Sequence, residues 1–204
     1  MIKKLIIAPH VDDDVLGCGG ILDKDSFVIY CGLDETDIPN RPSLDIRMNE
    51  IQSVRSLTKH NFEILNNLVN RYKEHDLIGD FERIINDYKP DEVYICHPSY
   101  NQDHRSVYDA TMVALRPHDK NHFVNKVFVY EQPHMLFWDN GDVNFKPNYF
   151  VPIDIDKKIK IYKLMKSQVR SFRDPEHVKS IAKLRGGQSK YDYAEAFQIL
   201  RWVV

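Results

Sequence analysis

The stretch that decides the fold lies at residues 5–20, which read LIIAPHVDDDVLGCGG. Its first four residues are apolar, as in a buried parallel strand, and Pro9 marks the end of the run. Glycines at the start of a crossover helix usually indicate close packing on the sheet or room for a ligand. Their spacing here is not that of the G-x-G-x-x-G dinucleotide fingerprint. The stretch therefore predicts a strand, a polar loop and the beginning of a helix.

The same alternation continues through the first two-thirds of the chain. Each apolar run is four or five residues long and is bounded by Pro, Gly, Asp or Asn. After Leu5–Ala8, the predicted strands are Phe27–Cys31, Phe62–Leu65, Val93–Cys96 and Val127–Tyr130. The predicted helices between them are Arg47–Thr58, Leu77–Tyr88 and Arg105–Leu115. Such alternation predicts an α/β layered domain with a mostly parallel sheet and right-handed crossovers.

The last third of the chain has a different pattern. Phe145–Val151 is predicted to be extended, and the proline within it favours a position at the edge of the sheet or outside it. A long helix is predicted over Asp154–Phe172, because its apolar residues repeat with helical spacing. A shorter helix is predicted over Glu176–Leu184, with Gly186 and Gly187 as its stop signal.

Composition excludes several classes of protein. The 204 residues predict a single domain, 1–204, which is large enough to fold without a structural metal. The 28 basic and 30 acidic residues form no basic tail, which argues against nucleic-acid binding. No apolar run reaches the ~18–20 residues of a membrane span. Three cysteines without C-x-x-C spacing fit a reduced, cytoplasmic protein, and homo-oligomerisation remains open.

A dense group of acidic residues follows the first predicted strand. His10 is succeeded by Asp12, Asp13 and Asp14, and carboxylates this close repel one another unless a cation or hydrogen-bond donors compensate them. One of these aspartates could instead cap the following helix while the others are solvated. A histidine beside three consecutive aspartates favours a cation site over capping alone.

A second polar group follows the fourth predicted strand and opens a helix. It runs from His97 to Arg105 and contains Asp103 and His104. In the common doubly wound order, the first and fourth strands are neighbours, and ligands bind beyond their carboxyl ends. His104 should therefore meet His10 and Asp13. Two imidazoles and one carboxylate form a catalytic zinc site, but the same ligands also serve iron(II) or another divalent metal.

These residues resemble the LmbE/PIG-L family of zinc-dependent de-N-acetylases, which act on N-acetylglucosamine-type sugars and have a Rossmann-like three-layer fold. The resemblance rests on motifs spread over essentially the whole chain. They are Pro9–Asp13, Leu16–Gly20, Arg47–Glu50, Asn101–Arg105, Lys146–Asn148, Ser167-Gln168, Arg185-Gly186 and Tyr193–Phe197.

The resemblance implies roles for individual residues. His10, Asp13 and His104 match the metal ligands, and Asp12 matches the general base. Arg47 resembles an arginine that helps to hold the sugar or its attached group.

The residue at the carbonyl oxygen departs from part of the family. Asn101 stands where some members have a histidine, and an amide can donate a hydrogen bond to an oxyanion but cannot supply a proton. Either Asn101 does only that, or the acid role is taken by His97 or by His134, the latter in a loop expected to reach the crevice. His97 is also a candidate substrate contact. Asp14 and Asp103 are candidates for orienting His10 or His104 through the free ring nitrogen.

The predicted activity is hydrolysis of an N-acyl group, by preference N-acetyl, on an amino sugar or a nucleotide- or lipid-linked sugar. The implied cofactor is Zn²⁺, and the implied partner is a small N-acylated sugar or sugar conjugate. The alternatives are another metal-dependent amidohydrolase, an iron enzyme on the same ligands, and a non-catalytic sugar- or nucleotide-binding module.

Overall fold

A computed structural model describes residues 2–35, 39, 41–133 and 145–204. The strands are β1 (Lys4–Ala8), β2 (Ser26–Tyr30), β3 (Asn61–Ile64), β4 (Glu92–Cys96), β5 (Lys126–Tyr130), β6 (Tyr149–Pro152) and β7 (Ala194–Trp202). The helices are α1 (Asp13–Cys18), α2 (Leu44–Thr58), α3 (Glu74–Tyr88), α4 (Gln102–Ala114), α5 (Ile155–Tyr162) and α6 (Pro175–Ser189). A 3₁₀ turn covers Ser171–Arg173.

The strands form one sheet in the order β3-β2-β1-β4-β5-β7-β6. Pairing is parallel from β3 through β5, whereas β7 runs antiparallel to both of its neighbours. Leu5 in β1 pairs with Phe27 on one side and Val93 on the other. All three side chains are buried, as expected for central strands covered by helices. The predicted three-layer α/β fold, with strands 1 and 4 adjacent, is confirmed.

The predicted strands of the parallel half agree with the structure to within one residue at each end. Its three predicted helices each begin three residues earlier than their apolar patterns indicate. The first turns of α3 and α4 are polar, and in α2 the apolar Leu44 and Ile46 are exposed. Ser43 caps α2 by accepting a hydrogen bond from the amide of Ile46, and Asn101 caps α4 in the same manner.

The predicted helix over Asp154–Phe172 is too long, because α5 ends at Tyr162. The following segment is held by Glu50 of α2, whose carboxylate accepts hydrogen bonds at 2.6 Å from both the amide and the hydroxyl of Ser167. The Ser167 amide is thereby withdrawn from helical bonding. Residues 163–174 consequently form a connection that crosses the carboxyl edge of the sheet, and we call this segment the α5–α6 loop.

The predicted end of the last helix is also wrong. Helix α6 continues through Gly186 and ends at Ser189, with Lys190 in the left-handed conformation at φ 61°. Gly186 instead allows a close approach, since a Cβ there would lie 2.6 Å from the carbonyl oxygens of Tyr191 and Asp192. Its role is packing against the turn into β7.

The sequence analysis assigned no strand to residues 194–202, where the structure has β7. This strand lies between β5 and β6, and its pairing with β5 is irregular between Val127 and Phe128. Two of its buried residues are alanines, which carry little strand signal. The predicted extended segment near residue 150 is confirmed as β6 at the edge of the sheet.

Helix α1 packs closely on the sheet through Gly17. A Cβ at this position would collide with the ring of Tyr130 on β5, whose hydroxyl donates a hydrogen bond of 2.8 Å to the carbonyl of Ile7. The glycine thus allows the helix that carries the acidic group to lie directly above the sheet. In the described part of the chain, no helix combines the length and apolar character that crossing a membrane requires.

Candidate active site

The two polar groups meet at the carboxyl edge of the sheet. β1 ends at Ala8 and leads into His10 and helix α1, whereas β4 ends at Cys96 and leads to helix α4. Because β1 and β4 are neighbours, their following loops lie side by side. His10, Asp13 and His104 therefore come together, as the fold prediction implied.

Three ligand atoms converge on one point in this cluster. His10 Nδ1 and Asp13 Oδ2 are 3.3 Å apart, and each lies 3.3 Å from His104 Nε2. A tetrahedral zinc ion with bonds of about 2.0–2.1 Å separates its ligands by about 3.3–3.4 Å. Both the donor set and the spacing therefore fit zinc or a similar divalent ion.

A buried carboxylate fixes the orientation of His10. Asp103 Oδ2 lies 3.0 Å from His10 Nε2, so the other ring nitrogen faces the candidate metal position. Asp103 is itself held by the backbone amide of Asn70 at 2.6 Å. On the second imidazole, Ser99 Oγ lies 3.5 Å from His104 Nδ1.

The electrostatics of the cluster favour positive charge. Burial opposes protonation of His10, but hydrogen bonds to Asp103 and Asp13 outweigh it and raise the pKa of His10 to about 10. Burial likewise opposes ionisation of Asp13, yet the adjacent His104 and His10 hold the pKa of its carboxyl well below the ordinary value. The carboxylates thus create a negative potential that suits a cation.

Asp12 lies beside the cluster and pairs with an arginine that the sequence analysis did not identify. Its Oδ2 is 2.8 Å from Arg173 Nη1, and both side chains are largely buried. Arg173 also donates a 3.2 Å hydrogen bond to Gln168. Although burial disfavours its charge, Asp12 helps to raise the pKa of Arg173 above the ordinary value.

Asn101 lies at the wall of the cleft and caps α4. Its Oδ1 accepts a 2.8 Å hydrogen bond from the amide of Asp103. The cap uses the oxygen of the side-chain amide and fixes its orientation, so the NH₂ group remains as a donor.

Two of the predicted site residues lie behind the cleft wall. Arg47 is buried and donates hydrogen bonds to Glu35 at 2.7 Å and Ser167 at 2.9 Å; it is Glu35 that lines the cleft. Asp14 accepts a 2.8 Å hydrogen bond from Tyr30, whereas the carboxylate beside His10 is that of Asp103. Burial raises the pKa of Asp14 to about 7.

The two histidines that were candidates for the acid role differ in what the structure describes of them. His97 is buried with its ring edge-to-face against Phe145 at 5.7 Å, and it does not belong to the described residues that line the cleft. Burial lowers its pKa, and the positive charge of His104 adds to the effect. His134 lies outside the described residues.

A cleft that is open to solvent surrounds the cluster, and its cavity volume is about 170 Å³. Its walls are mainly polar. Besides the predicted residues, the described lining contains Glu35, Arg41, Val69, Asn70, Tyr100, Gln168, Arg170, Phe172 and Arg173. Four of these come from the α5–α6 loop, of which the sequence analysis assigned residues 163–172 to a helix. The available signal was the family-like pair Ser167-Gln168, which shortly precedes Arg170 and Arg173.

The fold and the site together define an α/β protein with a candidate two-histidine, one-carboxylate metal centre at the carboxyl edge of its sheet. The sequence model of the PIG-L family, described as GlcNAc-PI de-N-acetylase, matches residues 5–115, more than half of the chain. The chain belongs to this family. A comparison with curated proteins gives no significant match.

Solved structures share the whole fold at low sequence identity. The conserved protein TT1542 from Thermus thermophilus has a TM-score of 0.81 and 20% identity, covering 100% of this chain and 97% of its own. N,N'-diacetylchitobiose deacetylase from Pyrococcus horikoshii has a TM-score of 0.79 and 21% identity, and the match covers 98% of this chain and 84% of that one. GalB, the 4-carboxy-2-hydroxymuconate hydratase from Pseudomonas putida, has a TM-score of 0.78 and 19% identity, and the match covers 100% of this chain and 98% of that one. These likenesses establish the fold alone, since a deacetylase and a hydratase share it.

Proposed function

We propose that this protein is a metal-dependent deacetylase that hydrolyses the N-acetyl group of an amino sugar or sugar conjugate, with residues 1–204 acting as one domain. The observation that carries the proposal is the convergence of His10, Asp13 and His104 at 3.3 Å spacing beside the carboxylate of Asp12. Membership of the PIG-L de-N-acetylase family supports the same reaction.

His10, Asp13 and His104 would hold the metal, for which we propose zinc. When bound, such an ion polarises a carbonyl group and lowers the pKa of water towards neutrality. Asp103 acts behind His10, where it fixes the ring so that Nδ1 faces the ion. Metal analysis of protein purified without added metal distinguishes zinc from iron.

Asp12 is the proposed general base. It adjoins Asp13 in sequence, and it can accept a proton from the attacking water and return it to the leaving nitrogen. Its ion pair with Arg173 holds the carboxylate in place at 2.8 Å. Arg173 is therefore proposed as a positioning residue for Asp12.

Asn101 is the proposed donor to the carbonyl oxygen. The helix cap fixes its side chain through Oδ1, which leaves the NH₂ group for the developing oxyanion. Since an amide does not supply a proton, the proton for the amine must come from Asp12 or from a histidine. His97 and His134 remain the proposed alternatives for that role.

Arg47 is proposed to act through another residue rather than on the sugar. Its hydrogen bonds fasten Glu35, which faces the cleft, and Ser167, which anchors the α5–α6 loop. Loss of Arg47 should therefore weaken substrate binding by displacing both groups. Asp14, hydrogen-bonded to Tyr30, is proposed to stabilise the packing of α1 on the sheet.

An acetate-release assay tests the proposed function. The purified protein is incubated with zinc and a panel of N-acetyl sugars that are free, nucleotide-linked or lipid-linked, and acetate and free amine are measured together. Equal release of both from at least one sugar is expected. Zinc retention and sugar binding without release of acetate would favour a binding module. Turnover of an unsaturated acid, without cleavage of any amide, would favour a hydratase like GalB.

A further inference from the structure

Three arginines line the described part of the cleft, beside the carboxylates of Asp12, Asp13 and Glu35. They are Arg41, before α2, and Arg170 and Arg173 of the α5–α6 loop. The same cleft contains the candidate metal ligands His10, Asp13 and His104. Neither the proposed hydrolysis of a neutral amide nor the metal ligands account for Arg41 and Arg170.

The carboxylates nearest to these arginines already have partners. Asp12 pairs with Arg173 at 2.8 Å, and Glu35 pairs with the buried Arg47 at 2.7 Å. Arg41 reaches Glu35 only at 3.9 Å, so it shares a carboxylate that Arg47 already holds. Within the described ranges, no carboxylate forms an ion pair with Arg170.

Arg170 lies in an environment that disfavours its charge. It is partly buried, and burial lowers its pKa, with further lowering by the neighbouring Arg173 and Arg41 that the charges of Asp12 and Glu35 only partly offset. Holding partly desolvated guanidinium groups of like charge near one another is costly unless an anion joins them. A divalent ion at His10, Asp13 and His104 would add to the positive potential at the same place.

We infer that the substrate carries an anionic group, a phosphate or a carboxylate, which Arg41 and Arg170 bind in the cleft while the N-acetyl group lies at the metal centre. The inference rests on the proposed function, since it names the class of sugar conjugate that the same cleft takes. The planar guanidinium fork suits both groups, because each offers two oxygens for paired hydrogen bonds.

Matched substrates and variants test this inference by kinetics. N-acetylglucosamine and its methyl glycoside are the neutral substrates, and the 1-phosphate and a carboxylate-bearing glycoside are the anionic ones. Wild-type protein should favour at least one anionic substrate. Arg170→Gln and Arg41→Gln should each lower kcat/KM for it by about 10- to 100-fold, the range expected for losing hydrogen bonds to a charged group. The same variants should change kcat/KM for the neutral substrates by less than about twofold.

Two further variants control for folding and for charge. Arg83→Gln removes an exposed arginine of α3 that is not among the described residues lining the cleft, and it should leave kcat/KM for every substrate unchanged. Arg170→Lys keeps the charge but loses the fork, so it should retain part of the preference for the anion. Equal kcat/KM for neutral and anionic sugars in the wild type, or an equal loss on both in Arg170→Gln, would overturn the inference.

A binding measurement separates this inference from the proposed function. Calorimetric titration of the zinc-loaded protein with inorganic phosphate and with N-acetylglucosamine 1-phosphate should show affinity that Arg170→Gln loses and Arg83→Gln keeps. If no sugar releases acetate, the proposed function fails, and this titration still decides whether the arginines bind an anion. Phosphate affinity that is the same in the wild type, Arg41→Gln and Arg170→Gln would contradict the inference, even for an active deacetylase.

Discussion

Two buried clusters of charged side chains lie at the two ends of α1, and only one of them has the features of an active site. We call His10, Asp13, Asp103 and His104 the metal cluster; the other is the lysine cluster of Lys158 and Glu195. Lys158 Nζ lies 2.6 Å from Glu195 and donates a 2.7 Å hydrogen bond to the carbonyl of Leu16. The same Glu195 oxygen accepts a 2.7 Å hydrogen bond from the amide of Gly20.

The difference lies in which kinds of atom face one another. In the lysine cluster an ammonium group and an amide meet carbonyl and carboxylate oxygens, so donors are matched with acceptors. In the metal cluster two ring nitrogens and a carboxylate oxygen, all able to bind a cation through lone pairs, converge at 3.3 Å. Burial of charge is therefore common to a structural support and a candidate catalytic centre, and convergence of metal-binding atoms separates them.

The largest effect is expected from removing a ligand of the metal cluster. His104→Ala leaves two ligand side chains, so bound zinc should fall from about one per chain to near zero and acetate release to background. Elemental analysis after dialysis and the acetate assay measure the two quantities. His75→Ala is the matched control, because His75 is fully exposed at the start of α3. Full zinc content in His104→Ala would mean that His104 is not a metal ligand. The contrast between the metal cluster and the lysine cluster would then no longer hold.

Asp12→Asn should lower kcat by about 10²- to 10⁴-fold, the contribution expected of a general base, while zinc stays bound. Asp109→Asn on the exposed side of α4 is the control and should keep normal turnover. Normal turnover in Asp12→Asn would show that another group takes the proton. Loss of zinc in this variant would instead make Asp12 part of the metal cluster.

Lys158→Met should act on stability rather than on chemistry. It leaves Glu195 buried without its partner, which should lower the free energy of unfolding by about 3–5 kcal/mol. Zinc content and kcat per folded molecule should stay close to the wild type. Urea unfolding gives the stability. The double variant Lys158→Met/Glu195→Leu should recover part of the loss, since it removes the unpaired charge. A drop in zinc content as large as that of His104→Ala would make the lysine cluster part of the metal site.

The smallest effect is expected from Asp103→Asn, which weakens the support of one ligand without removing it. Affinity for zinc should fall by about 10- to 100-fold, as measured by competition with a chelator. Asp109→Asn again serves as the control. An unchanged affinity would mean that the packing around Tyr72, whose ring stacks near His10 at 6.0 Å, is enough to orient the imidazole.

The parallel half of the fold could be predicted from the sequence because its signals are local. Strands such as Leu5–Ala8 are short apolar runs with clear boundaries, and their order places the polar loops after β1 and β4 together. The metal cluster follows from this placement. The strand β7 could not be predicted, because its alanines give little local preference and its position depends on pairing with β5 and β6.

The cleft wall was harder to predict than its floor. Arg170 and Arg173 reach the cleft because Glu50 of α2 takes the amide of Ser167, a contact between residues 117 positions apart. Local periodicity instead favours continuing α5 through this region. Glu35 and Arg41 likewise lie outside the helices and strands. Their positions follow from tertiary contacts, which a single sequence does not show.

The Tyr162 hydroxyl, which donates a 2.5 Å hydrogen bond to the Arg173 carbonyl, fastens the far end of the α5–α6 loop to the helix before it. Together with the Glu50 anchor, it holds the loop through contacts that do not involve the side chains of Arg170 and Phe172. The candidate metal ligands fall within residues 5–115, which match the family model, and this loop lies beyond them. Substitution of Arg170 or Phe172 is therefore expected to change the lining of the cleft while both anchors of the loop stay in place.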